Sequence, residues 1–348
     1  ESSSDGNEWN RHRMESNGIH RVNMREKLSI LQWVKKVSIV LAIVLLCGFI
    51  FQSLSNFIGN EQVRQRLNYV KIDDNKIEYK SSGSGSYTIV FDGALGTNLY
   101  AWNDVCKSVE KELGVRTLVY NRDGYGFNTI RDKKDIASQT EELRELIKKL
   151  GLTDNLILVG EEYGSLIMTN FAKEYPELVS GMVLIRPLSE EALKSKDFKK
   201  SIRWKYYKSK VEAVGASFGL TTLMDKLGLT YSIDGFEENL PKGADEEFAV
   251  HKTKKNYRKA VSNELENLYK YNGEMQLDNV FIDKPLYIIS GNENDPVAKI
   301  GTSELTTIYH TESEAGIISS TDKGSIQSGI SIVLKEAKKI EKLSNKSK

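Results

Sequence analysis

The chain has 348 residues, which is enough for one large domain and an additional segment. Its 49 basic and 48 acidic side chains nearly cancel, so the overall charge gives no reason to expect nucleic acid or a strongly acidic substrate as a partner. The two cysteines, Cys47 and Cys106, are too few for a disulfide framework and lie in no Cys/His cluster, so a zinc site has no support in the sequence. We expect no cofactor.

The N-terminal part of the chain is polar. Residues 1–23 show no periodicity, which predicts a disordered tail or an extension ahead of a natural start at Met24, and we assign them no function. The whole segment 1–36 is expected to stay in the cytoplasm, because it ends on Lys35 and Lys36.

Residues 37–58 form a long apolar run of the length that spans a bilayer, roughly 20 residues. The lysines before it predict that the C-terminal part faces outward. The long apolar stretch without an A-x-A site favours an uncleaved signal anchor over a cleaved signal peptide, and a core helix would not be apolar on all faces. The sequence therefore predicts a single-pass protein of the cell membrane, with the lipid bilayer as a partner and residues 59–67 as a stalk.

The rest of the chain alternates between strand and helix patterns. Residues 68–80 predict a β-hairpin, and residues 81–86 predict a turn that lacks the spacing of a dinucleotide site. Further strands are predicted at 87–92, 115–120, 156–161, 181–186, 285–290 and 316–320, and helices near 100–113, 135–150, 164–175, 297–312 and 328–342. Short apolar strands between amphipathic helices predict the α/β class, with a buried, mostly parallel sheet covered on both faces.

The alternation is interrupted at residues 188–283, which are charged and helical in pattern. This segment predicts a helical cap over the carboxyl edge of the sheet. Its basic stretch, residues 189–210, favours a solvated helix face over contact with anionic lipid.

Between the predicted strand at 156–161 and the helix after it lies a Gly-x-x-x-Gly turn, from Gly160 to Gly164. The pattern has the form of a nucleophile elbow, in which the central residue is forced onto a sharp turn and exposed. The central residue is Glu162, where the motif normally has serine.

These elements resemble the α/β-hydrolase fold superfamily over residues 68–342, and in particular membrane-anchored hydrolase-like proteins of Gram-positive bacteria. Four motifs carry the resemblance: the strand 87–93, the turn 119–128 (Val-Tyr-Asn-Arg-Asp-Gly-Tyr-Gly-Phe-Asn), the elbow, and the strand 285–291 with Asp295-Pro296. The resemblance implies a hydrolase core at 68–187 and 284–348, with the cap inserted between them.

The resemblance also implies a catalytic triad, and the sequence departs from it. The nucleophile position holds Glu162, the acid position falls on Asp295 after a loop one residue too long, and the histidine position falls on Ser325. The oxyanion hole would consist of the N–H groups of Ala94 and Tyr163. Asp92-Gly93 replaces the usual His-Gly before the oxyanion loop. With Glu162 and Ser325 at the positions of the serine and the histidine, the triad that the resemblance implies is degenerate.

Other residues are weaker candidates for catalysis. His251 is expected to lie in the cap and His310 on a surface helix, and His310 becomes a candidate base only if the last strand is misplaced. Ser165 is the hydroxyl nearest to the elbow, and we expect it to pack or to cap the helix.

Three functional hypotheses remain. The favoured one is a non-catalytic pseudohydrolase that binds a small molecule or a protein under its cap, with the Glu162 carboxylate folded into its own oxyanion hole. The alternative is an active cell-surface hydrolase of a small ester, epoxide or amide that uses Glu162 or another non-standard residue. The third is a cation site, because Asp92, Glu161, Glu162 and Asp295 all end predicted strands. Whether the chain is an enzyme stays open on the sequence alone.

Overall fold

The computed structural model describes residues 5–63, 67–152, 154–312 and 316–346. The strands are β1 Asn68–Ile72, β2 Asn75–Gly83, β3 Thr88–Asp92, β4 Arg116–Tyr120, β5 Leu156–Glu161, β6 Val179–Ile185, β7 Leu286–Ser290 and β8 Thr306–His310. The helices are α1 Asp5–Gln62, α2 Asn103–Leu113, α3 Ile136–Lys149, α4 Tyr163–Glu174, α5 Glu190–Lys194, α6 Lys196–Gly215, α7 Leu220–Lys226, α8 Ala244–His251, α9 Lys255–Tyr269, α10 Ile318–Thr321 and α11 Lys323–Lys346.

The strands form one eight-stranded sheet in the order β1-β2-β4-β3-β5-β6-β7-β8. β1 and β2 are antiparallel, and β2 pairs antiparallel with β4, while the neighbours from β4 to β8 are parallel. Every residue of β3 and β5 is buried, because helices cover both faces of the sheet. The predicted mostly parallel α/β sheet is confirmed.

The prediction for the last strand was wrong. The chain forms β8 where a helix over 297–312 was expected, and β8 pairs in parallel with β7, from Leu286 opposite Thr306 to Ser290 opposite His310. The strand predicted at 316–320 is instead largely the short helix α10. β8 reads Thr-Thr-Ile-Tyr-His, and β-branched and aromatic side chains of this kind fit a sheet better than a helix.

The N-terminal helix α1 is longer than the sequence predicted. It begins at Asp5, within the segment expected to be a disordered tail or an extension, and it continues to Gln62, into the predicted stalk. The remainder of the stalk includes residues 64–66, which lie outside the described residues. The stretch Lys27–Glu61 is long and apolar enough to cross a membrane.

Helices α5 to α9 lie between β6 and β7 and form the cap. α6 and α9 pack along each other, and the rings of Tyr206 and Tyr269 stack between them with centroids 4.6 Å apart. The cap follows directly from the carboxyl end of β6, the edge at which the elbow after β5 also lies.

Candidate functional site

The turn between β5 and α4 has the backbone of a nucleophile elbow. Glu162 has φ 50° and ψ −108°, a conformation that costs a non-glycine residue free energy and persists only where the surroundings hold it. Its N–H donates to the carbonyl of Ile185 at the end of β6, 2.9 Å away. The strained turn therefore persists although its usual hydroxyl is replaced by a carboxylate.

The two glycines of the motif are required by close packing. A Cβ on Gly160 would lie 2.8 Å from the carbonyl oxygen of Gly164. A Cβ on Gly164 would overlap the carbonyl of Asp92 and lie 2.9 Å from that of Gly93. The amide of Gly164 donates to the carbonyl oxygen of Gly93 over 3.1 Å, so the main chain of α4 is in direct contact with the main chain that follows β3.

Gly164→Ala should therefore lower the free energy of unfolding by about 1–3 kcal/mol, the cost of overpacking a site whose neighbours are main chain. The matched control is Gly291→Ala, where the nearest atom to the added Cβ is the carbonyl oxygen of Thr311 at 3.8 Å. Urea unfolding of the detergent-solubilised chain measures both variants. Equal stability of the two would show that the elbow has room for a side chain.

The Glu162 side chain is half-buried and does not adopt the expected position. It makes no hydrogen bond that caps α4, and within the described part of the chain its carboxylate accepts none from Ala94 or Tyr163. The hypothesis of a carboxylate folded into its own oxyanion hole is thus not realised in this structure. Burial raises the pKa of Glu162, and the positive charges of Arg186 and Lys205 oppose that shift.

The residues predicted to form the oxyanion hole lie beside the elbow. Tyr163 opens α4, and Ala94 follows the end of β3. Among the described residues the N–H groups of both donate to no partner. Two residues further along this loop, both backbone polar groups of Gly96 are hydrogen-bonded. Its N–H donates to Tyr125 Oη at 3.0 Å, and its carbonyl accepts from the Tyr257 hydroxyl of the cap at 2.8 Å.

Asp92, predicted to line the pocket, is buried in an ion-pair network centred on Arg122. Arg122 donates to Asp92 and, through Nε and Nη2, to both oxygens of Glu264 at 2.7 and 3.0 Å. The Tyr120 hydroxyl donates to the other Asp92 oxygen at 2.6 Å. Burial lowers the pKa of Arg122, but the two carboxylates outweigh burial and leave its pKa well above the usual value.

This network joins the cap to the core. Glu264 lies on α9, whereas Arg122 follows β4 within the motif 119–128. Tyr125 also donates to Glu264 at 2.6 Å, and Asn267 of α9 donates to the hydroxyl of Tyr163 at 2.9 Å. The motif was recognised in the sequence, but the roles of Arg122 and Glu264 were missed, because no local pattern marks a partner 142 residues away.

Asp295, the residue expected at the acid position, follows the carboxyl end of β7. Its two oxygens are engaged locally, one by the hydroxyl of Ser290 at 2.7 Å and the other by the amide of Val297 at 2.9 Å, where it caps a short 3-10 helix. Asp295 is buried, and within the described residues no histidine bonds to it.

Ser325 does not occupy the histidine position. Because β8 is the last strand, the segment that follows it in sequence is 311–317, of which residues 313–315 lie outside the described part of the chain. Ser325 lies instead in the first turn of α11, where its hydroxyl donates to Asp322 at 2.5 Å. The segment 311–317 contains no histidine in its sequence. His310 ends β8 rather than lying on a helix, and its side chain is exposed.

The other weak candidates are engaged in packing. His251 is buried in the cap, where its ring meets Phe127 with centroids 4.5 Å apart, and burial lowers its pKa to about 3. It is therefore uncharged at neutral pH. The Ser165 hydroxyl donates to the carbonyl of Glu162 at 2.5 Å and accepts from Leu188 N–H at 3.2 Å, as expected for a packed residue.

Glu161 points away from Glu162 and caps α10. Its Oε1 accepts from the amides of Ile318 at 2.6 Å and Ser319 at 3.3 Å, and Oε2 has no hydrogen-bond partner in the described part of the chain. Burial raises the pKa of Glu161 to about 7. Asp92, Glu161 and Asp295 thus accept hydrogen bonds from different partners. The described residues contain no group of three or more His, Cys, Asp or Glu side chains that could hold a metal ion.

A further residue near the elbow was missed by sequence reasoning. Arg186 follows β6 with φ 46°, and its guanidinium donates to the carbonyl of Gly316 at 2.5 Å. It therefore holds the turn after β8 while its charge acts on Glu162. A lone arginine after an apolar strand gives no signal of such a role in a single sequence.

The sequence model of the alpha/beta hydrolase fold matches residues 87–307. The uncharacterized protein YqjL of Bacillus subtilis (strain 168) is 31% identical over 106 residues, 30% of this chain and 41% of that protein. The 2-hydroxy-6-oxo-6-phenylhexa-2,4-dienoate hydrolase of Comamonas testosteroni is 26% identical over 133 residues, 37% of this chain and 46% of the enzyme. The chain thus matches less than half of the length of these relatives.

Solved structures are similar over most of the chain. The Cif epoxide hydrolase from Acinetobacter nosocomialis has a TM-score of 0.60 at 15% identity, covering 80% of this chain and 95% of its own. The enol-lactonase from Burkholderia xenovorans LB400 has a TM-score of 0.56 at 17% identity, covering 77% of this chain and 100% of its own. At these identities the likeness concerns the fold alone.

Proposed function

Since the chain belongs to the alpha/beta hydrolase fold family, we propose that it is a membrane-anchored member that binds a ligand at the elbow without hydrolysing it. The observation that carries this proposal is the missing proton acceptor. The sequence of residues 311–317, which follow β8, has no histidine, and the histidines C-terminal to α1 are the packed His251 and the exposed His310. A nucleophile at this elbow needs such a base, either to activate it or to direct water at the covalent ester.

The polar groups around Glu162 indicate the chemistry of the ligand. Its half-buried carboxylate accepts no hydrogen bond within the described residues, and the N–H groups of Ala94 and Tyr163 donate none there. A ligand that carries both a carbonyl and a hydrogen-bond donor, such as an amide or a hydroxy ketone, would complement these groups. Arg186 and Lys205 disfavour a cationic ligand, because their positive charges act at the same place.

A membrane location is supported by α1. Its apolar stretch is long enough to cross a bilayer, and Lys35 and Lys36 lie at the N-terminal side of the uncharged part. We propose that residues 37–58 span the cell membrane with the hydrolase-like domain outside. Protease added to intact cells should then degrade that domain. A domain that becomes sensitive only after lysis would contradict this orientation.

One observation favours a second candidate function, an active hydrolase with Glu162 as nucleophile. The strained φ and ψ of the elbow are retained, and strain of this kind is often kept for function. Carboxylate nucleophiles are established chemistry, and several similar structures are epoxide hydrolases by name. Against it, a glutamyl ester formed at Glu162 still needs a base for its hydrolysis.

The purified chain is expected not to label with a fluorophosphonate probe and to turn over neither p-nitrophenyl acetate nor styrene oxide. Labelling requires an activated hydroxyl, and the elbow supplies a carboxylate. Glu162→Gln should leave this negligible activity unchanged, because the carboxylate performs no covalent step.

Ser165→Ala serves as the control for the nearest hydroxyl in these assays. Robust labelling that this variant abolishes would contradict the proposal. Turnover of styrene oxide by the wild type that Glu162→Gln abolishes would establish the second candidate instead.

A further inference from the structure

Helix α7 turns its leucines outward and keeps Thr221 buried. Leu220 and Leu223, together with Leu227 directly after the helix, have helical spacing and are 45%, 55% and 64% accessible. On the inner side, the hydroxyl of Thr221 donates to the carbonyl of Glu212 at 2.5 Å, and Asp225 accepts from Thr230 at 2.8 Å. A helix on the surface of a water-soluble domain has the opposite arrangement, with its apolar side turned inward.

This helix lies directly against the apolar part of α1. The Thr222 hydroxyl donates to Oε1 of Gln52 at 2.7 Å, and Gln52 is only 3% exposed. Just before α7, the backbone of Phe218 touches that of Gly48, where an added Cβ would lie 3.2 Å from the Phe218 carbonyl carbon. The exposed leucines of α7 are therefore continuous with the apolar surface of α1.

The position of Gly48 along α1 gives the depth at which Phe218 and α7 would lie in a bilayer. Gly48 lies twelve residues after Lys36, which corresponds to about 18 Å of helix at 1.5 Å per residue. The hydrocarbon core of a bilayer is about 30 Å thick. With Lys36 at the inner boundary, Gly48 and the helix beside it lie in the outer half of the hydrocarbon and not in water.

The sequence around α7 fits such a position. Residues 213–224 carry no charged side chain. Lys226, at the end of α7, is exposed and can extend its amine towards headgroups while its stem stays among the acyl chains. Backbone groups of an element in lipid must be hydrogen-bonded within the protein. In the turn before α7, Ser217 N–H donates to Val214 O at 3.2 Å and Phe218 N–H to Gly215 O at 3.0 Å, and in α7 Leu223 N–H donates to Gly219 O at 3.1 Å.

We propose that α7 and the turn 216–219 insert into the outer leaflet of the membrane, so that the cap rests on the bilayer beside α1. The inference rests on the proposed membrane span of α1. Lipid is the expected occupant of this apolar face, because the face continues the surface of a segment that lipid itself would surround.

Site-specific fluorescence on the full-length chain tests the proposal. Cys47→Ser removes the exposed cysteine, the buried Cys106 remains, and Leu223→Cys provides one site for the fluorophore NBD. In phosphatidylcholine vesicles, nitroxides on the lipid acyl chains should quench this NBD strongly, and aqueous iodide should not. The control is Leu277→Cys, an equally exposed leucine beyond α9, which iodide should quench and the lipid nitroxides should not.

Two outcomes separate failure of this proposal from failure of the membrane span. If NBD on Cys47 of the unmodified chain is quenched by lipid nitroxides while NBD at 223 and at Leu227→Cys is quenched by iodide alone, α1 spans the membrane and the insertion of α7 is wrong. If NBD on Cys47 is itself quenched only by iodide, the span is wrong and the inserted cap falls with it.

Discussion

Arg122→Met is expected to lower the free energy of unfolding by about 3–5 kcal/mol, the usual cost of removing one partner from a buried ion pair. The change leaves the buried carboxylates of Asp92 and Glu264 without their shared cation. Methionine fills much of the space, so the loss reflects charge more than volume. Urea unfolding of the detergent-solubilised chain, followed by the fluorescence of the buried Trp102, measures the effect.

The matched control is Arg131→Met. Arg131 is 58% exposed and pairs with Asp74, itself 87% exposed, at 3.3 Å, so its loss should change the free energy of unfolding by no more than about 0.5 kcal/mol. Adding Asp92→Asn and Glu264→Gln to Arg122→Met should restore much of the stability, because no buried charge is then unpaired. A loss below about 1 kcal/mol for Arg122→Met would contradict a structural role of the ion pair.

The same network explains what sequence reasoning found and what it missed. The turn 119–128 was recognised by its residue pattern, because its glycines and polar side chains are fixed by local backbone requirements. The partner Glu264 was not recognised, because α9 reads only as a charged, helical part of the cap. Long-range pairing of buried charges depends on which helix face meets which strand end, and one sequence does not contain that information.

The last strand shows a different limit. The parallel strands β3 to β7 could be predicted because they are buried and continuously apolar, whereas the residues of β8 are mostly exposed or half-exposed. An edge strand of this kind lacks the apolar run on which the prediction relied. The error moved the expected histidine position onto Ser325. The sequence of residues 311–317, which follow β8, contains no histidine either. The hairpin of β1 and β2 was predicted from its alternation, but β2 continues to Gly83, into residues 81–86 that were expected to form a turn.

The sequence predicted which residues form the elbow better than it predicted which residues surround them. The glycines around Glu162 could be predicted, because close contact of α4 with the end of β3 permits no side chain at 164. The electrostatic surroundings of the Glu162 carboxylate could not, since Arg186 and Lys205, whose charges oppose the rise of its pKa, come from distant parts of the chain. The direction of Glu161 was equally unpredictable, because its partner α10 was expected to be a strand.

Glu161→Gln is expected to make the chain more stable, relative to the wild type, as the pH rises from about 4.5 to 8. Burial raises the pKa of Glu161 from 4.5 to about 7 in the folded chain, so between these values the folded state holds a proton that the unfolded state has lost. Stability from this group is therefore fully present below pH 4.5 and is lost as the pH rises through 7. A shift of this size corresponds to about 3 kcal/mol.

Glutamine keeps an oxygen that can accept from the amides of Ile318 and Ser319, and it does not titrate. The measured quantity is the difference in unfolding free energy between variant and wild type, followed as a function of pH. A change in stability that the glutamine amide causes equally at every pH does not affect how this difference varies with pH. Glu142, whose pKa is also raised to about 7, titrates in both chains and cancels as well. Glu145→Gln, at a carboxylate that is 42% exposed, is the control and should follow the wild type at every pH. Parallel stability curves for Glu161→Gln and the wild type between pH 4.5 and 8 would mean that Glu161 stays ionised in the folded protein, and that two amides of α10 are enough to hold a buried charge beside the elbow.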